Sequence, residues 1–244
     1  MSNERNRPNA SLTDRVTGGA PGRASWYGDA YSIPIGGTGR QALADEGSYF
    51  TIVNATLATA VAGHAAPALA DNDPLPTKSL LHVYNGGQRY VTVDYLKLAV
   101  IVVNASSTST NFVAYVDNLG SSGRTSGGTA ITPANVRSDN PTSTGTTVYF
   151  GAVVTAAASA AKKVAQWTVR PVIAVAEDQY VFRFGADPGL PNSATHIGTA
   201  ISNLLVSCPP VVVAPGGNFY FCEANPSGAT TAATYEFEGG FWER

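Results

Sequence analysis

Only 13% of the 244 residues are charged, about half the ~25% usual for soluble domains, and Gly, Ala, Ser and Thr fill the difference. Such a surface suits a polar, neutral extracellular setting or one largely covered by other subunits. The net charge of -2 and pI near 5.9 give no general attraction to nucleic acid or an anionic membrane. No run approaches the ~18 apolar residues of a membrane span, and Met1-Ser2-Asn3-Glu4-Arg5 lacks the apolar core of a signal peptide, so synthesis in the cytosol is expected.

Residues 1–45 differ from the rest. They carry Arg5, Arg7, Arg15, Arg23 and Arg40, with Pro8, Pro21, Pro34 and many glycines. No helical or strand period persists. The segment is read as an extended N-terminal arm, either a solvated tail or, with Trp26, Tyr27 and Tyr31 as anchors, an arm that lies on a neighbouring subunit.

From residue 46 the pattern is that of strands. Tyr49 to Val53 is a first strand. An Ala-rich stretch, 57–70, is broken by Gly63 and Pro67 and reads as an irregular crossover. Leu80 to Tyr84 ends in Asn85-Gly86-Gly87, a hairpin signal, and Tyr90 to Val103 is the expected partner. That second strand alternates at first and is then continuously apolar from Leu98 to Val103, which predicts burial on both faces, by the other sheet and by a neighbour or the arm. Phe112 to Val116 is a strand, and 117–145 a long polar contact loop. Thr146 to Thr155 is a strand, and 156–165 a short helix or bulged edge. Strands follow at Trp167 to Ala176, Gln179 to Phe184 and Ile201 to Ser207.

The chain closes on Pro209 to Arg244. Two β-branched or aromatic runs flank Pro215-Gly216-Gly217, and a third follows Asn225-Pro226-Ser227-Gly228, which reads as a β-meander. In Tyr235-Glu236-Phe237-Glu238 aromatics and carboxylates alternate, the period of a half-buried strand. Phe241 and Trp242, large aromatics almost at the end, are expected to pack against the body or a symmetry mate. Roughly nine or ten strands with long connections predict one all-β domain over 46–244, an antiparallel two-sheet β-sandwich of jelly-roll form.

Chemistry is sparse. His64, His82 and His196 sit in separate segments with no two at ligand spacing, and His82 alternates with Leu80 and Tyr84 as a packed histidine would. Cys208 and Cys222 are expected as free thiols. Gly36-Gly37-Thr38-Gly39-Arg40 lacks the helix that a phosphate cradle needs. Glu236 and Glu238 stand ~7 Å apart on one strand face, a spacing a glycosidase uses, but no row of tryptophans accompanies them, and a solvated or intersubunit face is expected. Asp71 and Asp73 fall short of the six or more oxygens that calcium takes. Asn54-Ala55-Thr56 and Asn104-Ala105-Ser106 match glycosylation acceptors by chance. No catalytic residue, cofactor or metal is expected.

Three segments carry a resemblance. Ser126-Gly127-Gly128-Thr129-Ala130-Ile131-Thr132-Pro133-Ala134-Asn135-Val136, Val148-Tyr149-Phe150-Gly151-Ala152, and Pro215-Gly216-Gly217 with the closing Tyr-Glu-Phe-Glu and Trp-Glu-Arg together look like elements of tailed-bacteriophage virion proteins, over about residues 80–244. The resemblance implies a jelly-roll head-decoration (cement) protein, homotrimeric, bound in the virion to the major capsid protein or to neighbouring copies of itself and not to nucleic acid or membrane. The arm residues Arg5, Arg7, Trp26, Tyr27 and Tyr31, with Phe241 and Trp242, are the expected assembly contacts. A tail, collar or fibre component binding a host glycan through loops 117–145 and 185–200 is the competing expectation, and a polysaccharide-active enzyme the third.

Overall fold

The computed structural model describes residues 40, 43–44, 46–54, 61–62, 79–103, 110–139, 144–154, 161–170, 176, 178–185, 193–197, 201–224 and 233–244. The chain divides into two units, Met1–Ala42 and Leu43–Arg244. Of the first, Arg40 alone is described, so the expected arm anchors lie outside the described residues.

The second unit is almost entirely β. Its described residues form β1 (Tyr49–Val53), β2 (Val61–Ala62), β3 (Leu81–Asn85), β4 (Val91–Val102), β5 (Thr110–Asp117), β6 (Arg124–Ile131), β7 (Ala134–Asn135), β8 (Thr146–Val154), β9 (Lys162–Arg170), β10 (Gln179–Phe184), β11 (Ser193–Ile197), β12 (Ile201–Cys208), β13 (Val211–Val213), β14 (Asn218–Ala224) and β15 (Thr234–Glu243). A nine-stranded sheet runs β11-β12-β10-β4-β15-β1-β7, with β13 also on β4 and β2 on β15. A six-stranded sheet runs β6-β8-β3-β14-β5-β9.

The sheets face each other across one aromatic core, a sandwich-like arrangement. Phe112 of β5 meets Tyr180 and Phe182 of β10 edge-on, Phe219 of β14 meets Phe184, and Phe150 of β8 stacks on Phe237 of β15. Period-2 alternation puts these rings on inner faces: β10 and the first six residues of β15 alternate buried and half-buried throughout. Each buried Phe removes apolar area worth ~1.5–3 kcal/mol from water.

Several sequence expectations change. The Asn85-Gly86-Gly87 turn is no hairpin, because β3 pairs with β14 and β8 in the small sheet while β4 belongs to the large one. A two-residue hairpin of type I′ needs positive φ at both central residues, and neither Gly86 nor Gly87 has it. Asn85 instead turns the chain between sheets, its Nδ2 donating to the carbonyls of Arg89 and Val213. A Cβ on Gly145 would lie 2.6 Å from Gly87 Cα, so glycine is required where these two backbones touch.

The C-terminal meander is likewise replaced by alternation. β13 pairs with β4, β14 with β3 and β5, and β15 with β4 and β1, so no two of the three closing strands pair with each other. The chain crosses from sheet to sheet at each turn. One pair also departs from the antiparallel plan, since β10 and β12 run parallel.

Residues 117–145 are not one loop, for they contain β6 on β8 and β7 on β1. β6 is an edge strand whose described side chains from Ser126 to Ala130 are exposed. With no face to bury it needs no alternating apolar residues, and its Gly127 and Gly128 have positive φ. The segment from Lys162 is the bulged edge of the two forms expected for 156–165, with a register shift opposite Ala114/Tyr115.

Candidate assembly surface

The outer face of the large sheet is built on β1, β15 and β4. Tyr49 lies opposite Trp242 and Phe50 opposite Phe241, so the two C-terminal aromatics point to opposite faces. Phe241 is buried in the core, stacked on Phe50 at 5.7 Å. Trp242 is half-buried on the outer face, stacked on Tyr49 at 6.4 Å. The ring of Phe241 is therefore spent within the chain, and Trp242 is the one of the pair that reaches the outer surface.

A β-bulge organises the next row. Gly240 pairs with Tyr95 and Phe241 with Val93, which leaves Asp94 as the extra residue. The bulge turns Asp94 and Tyr95 toward β1 and β15. Tyr49 Oη donates to Asp94 Oδ2 at 2.6 Å, and Tyr95 Oη to Glu238 Oε1 at 2.6 Å. Both bonds are charge-assisted and short. Asp94 is buried, so its bond counts for more than an exposed one of the same length.

Beyond them lies an open depression of about 230 Å³ lined by Val53, Asn54, Lys97, Ala99, Glu236 and Glu238, with Phe237 beneath. Glu236 and Glu238 thus share the outer face, as their spacing predicts. The end of β4 beyond Ala99 is apolar. Thr234 pairs with Val102 and Tyr235 with Val100, so Ile101 is the extra residue of a second bulge. The bulge breaks the alternation, and Ile101 and Val102 are 38% and 53% exposed, with Val53 across β15 at 54%. Among the described residues the continuously apolar run is covered on one face to Val100 and open at its end; the neighbour or arm expected to cover the other face lies outside them.

The outer face of the small sheet is apolar too. Val113, Tyr115, Tyr220 and Cys222 form a second buried cluster against which Tyr149 and Ala161 pack. Register aligns Tyr149, His82, Tyr220 and Tyr115 in one row across β8, β3, β14 and β5. His82 stacks on Tyr220 at 5.0 Å and on Tyr149 at 6.3 Å, and the Arg124 guanidinium caps the Tyr149 ring at 4.2 Å. His82 is packed, as its alternation with Leu80 and Tyr84 predicts.

A polar network holds this row. His82 Nε2 lies 2.9 Å from Asn218 Oδ1. Asn218 Nδ2 donates to Asp117 Oδ1 at 2.7 Å and to the Ser121 carbonyl at 3.0 Å. Tyr220 Oη donates to Asp117 Oδ2 at 2.6 Å. Burial and the Asp117 carboxylate push the Tyr220 phenol well above its ordinary range. Burial, offset in part by the Asn218 bond, holds the His82 imidazole below its usual value.

A third device pins the end of the chain. Glu243 Oε1 accepts from the hydroxyls of Thr144 and Thr146, and Tyr90 and Arg244 exchange backbone hydrogen bonds. Beside it, a depression of about 270 Å³ is lined by threonines and by Ile131, Pro133 and Tyr149.

Both cysteines are buried free thiols. Desolvation raises Cys208 to about 12 and Cys222 above its ordinary range. Among the described residues no three His, Cys, Asp or Glu side chains gather as a metal site. Arg5, Arg7, Trp26, Tyr27, Tyr31, Gly36 to Gly39, His64, Asp71, Asp73 and Asn104 lie outside the described residues. The sequence reading missed Asp94, Tyr95, Asp117 and Asn218, since each acts through a partner distant in the chain. Comparison with protein-family models, with curated proteins and with solved structures finds no match.

Proposed function

We propose that the chain is a structural component of a tailed-bacteriophage particle, a jelly-roll head-decoration (cement) protein that stabilises the shell through contacts between subunits rather than by catalysis. The observation that carries this reading is the open apolar end of β4. Ile101 and Val102 stand exposed there, and further along the sheet exposed Val53 lines a depression with Lys97, Glu236 and Glu238, apolar side chains on a face that also carries polar ones, the composition of a contact surface. A symmetric trimer would present it three times over, and effective concentration would multiply weak contacts to the capsid or to neighbouring copies. The arm, with Arg5, Arg7, Trp26, Tyr27 and Tyr31, supplies the second contact in this reading.

The test is occupancy on particles. Deleting residues 1–45, or replacing Ile101 and Val102 by lysine, leaves a folded trimer that no longer copurifies with intact heads. Unchanged occupancy in both variants refutes the reading. Copy number separates head from tail, since hundreds of copies per particle mean a head protein and a dozen or fewer a tail component.

One observation favours the second reading, a glycan-binding tail or fibre component. Asn54, Glu236 and Glu238 line an open depression beside Ala99 and Val53, and amide and carboxylate groups over an apolar floor suit sugar hydroxyls. Glycan-array binding abolished by Glu236→Gln would establish it in place of the first.

A further inference from the structure

We propose that His82 is the acid sensor of a latch that fastens the 118–123 segment to the outer face of the small sheet, released when the ring takes up a proton. The latch is Asn218. Its Oδ1 accepts from the Gly123 backbone N–H at 3.1 Å and faces His82 Nε2, while its Nδ2 reaches Ser121 O and Asp117. One amide therefore ties both the segment and the histidine to β14.

The protonation state follows from the partners. Asn218 Nδ2 must donate, because both its partners are acceptors, so the atom facing His82 is an acceptor and Nε2 carries the hydrogen. Nδ1 then bears the lone pair, and it meets no hydrogen-bond partner among the described residues. His82 is fully buried, and acidification places a new N–H and a positive charge at that atom. Among the described residues the charge has no acceptor there, a costly state for a buried group.

The groups facing the ring from each packed element decide whether anything offsets this. Tyr220 and Cys222 come from β14, Tyr149 from β8, Tyr115 and Asp117 from β5, Tyr84 from β3 itself, Arg124 from β6 and, beyond Tyr115 in the row, Lys163 from β9. Among the described residues Asp117 is the one carboxylate; its charge offsets part of the cost, but its two oxygens already accept from Asn218 and Tyr220 and neither bonds Nδ1. Arg124 opposes the new charge. Relief comes from opening the site to water, and the 118–123 segment is held by the two Asn218 bonds and by the Gly120 N–H on the Gly216 carbonyl at 3.0 Å. Residues 118–122 are exposed, and Gly120 rests on the turn at Gly216, where a Cβ would lie 2.9 Å from Gly120 Cα.

The sign is fixed by linkage. The folded ring holds its proton less tightly than the unfolded one, so stability is full above the unfolded value of about 6.5 and is lost as pH falls below it. The experiment measures urea unfolding of the full chain and of His82→Phe, which keeps the stacking, from pH 8 to pH 5. Hydrogen exchange at Gly123, expressed as a protection factor, is followed alongside.

The wild-type folding constant is expected to fall relative to the variant by up to tenfold per pH unit below that value, with Gly123 protection falling in the wild type alone. A ratio that stays flat overturns the proposal, and so does a falling ratio with Gly123 protection unchanged. Should His82→Phe not fold, ring-nitrogen NMR of the wild type decides. An unprotonated Nδ1 with a midpoint below the ordinary value supports the latch, and a midpoint at or above it refutes it.

Discussion

Gly240→Ala tests whether the bulge on the large sheet is the keystone of its outer face. Gly240 sits inside β15, where glycine is ordinarily a weakness. A Cβ there would overlap the Tyr49 hydroxyl and come within 2.6 Å of Tyr95 Cε1. Both rings must move, and both carry a hydroxyl bonded to a carboxylate, Tyr49 to Asp94 and Tyr95 to Glu238. Overpacking alone costs about 1–3 kcal/mol. Loss of the buried Tyr49–Asp94 bond adds ~1.5–3 kcal/mol, while the half-exposed Tyr95–Glu238 bond adds at most ~1 kcal/mol, as solvent screens it. A total of roughly 2.5–7 kcal/mol is expected, read as a lower urea midpoint with an unchanged slope. Tyr49→Phe removes the hydroxyl that the methyl meets, so the double variant should be less destabilised than the sum by more than ~0.5 kcal/mol. A Gly240→Ala protein within ~0.5 kcal/mol of wild type, or strict additivity with Tyr49→Phe, refutes the reasoning.

Two other predictions address the interior. Phe112, fully buried and in contact with the rings of Tyr180, Phe182, Phe221 and Tyr235, bridges the two sheets; Phe112→Ala should cost about 3–5 kcal/mol in urea unfolding, and a loss below ~1 kcal/mol would mean the sheets do not share a core there. Cys208, pushed up to about 12 by burial, and Cys222 should react with a thiol reagent at pH 8 at least roughly a thousandfold more slowly in the native protein than in urea; native thiols reacting at the rate of free cysteine would contradict their burial.

Strands were legible in the sequence where one face is buried, and their pairing was not. Tyr49 to Val53 and Gln179 to Phe184 coincide with β1 and β10 because alternation is a local consequence of half-burial. β6 escaped because an exposed edge strand imposes no alternation. The turns misled for a different reason. Asn85-Gly86-Gly87 has the composition of a hairpin, but what directs the chain into the other sheet is Asn85 Nδ2 on the carbonyl of Val213, 128 residues on, and backbone contact with Gly145. The same residues would serve a hairpin if those partners were elsewhere, so composition alone does not decide between them.

The candidate surfaces divide in the same way. Glu236 and Glu238 were placed on one outer face by period alone, and Trp242 joins them there. The apolar run of β4 was legible as a strand that buries more than one face requires, but its exposure at Val102 depends on a bulge set by the register against Thr234 and Tyr235. A one-residue bulge reverses the facing of every residue beyond it. Without it Ile101 would still face outward with Lys97 and Ala99, but Val102 would turn toward the core. The apolar end of β4 is thus presented outward by the same device that turns Asp94 toward Tyr49 at its other end. Two bulges against one partner strand, β15, fix what the large sheet offers to a neighbour, and substitutions that shift β15 by one residue should alter both ends of that face together.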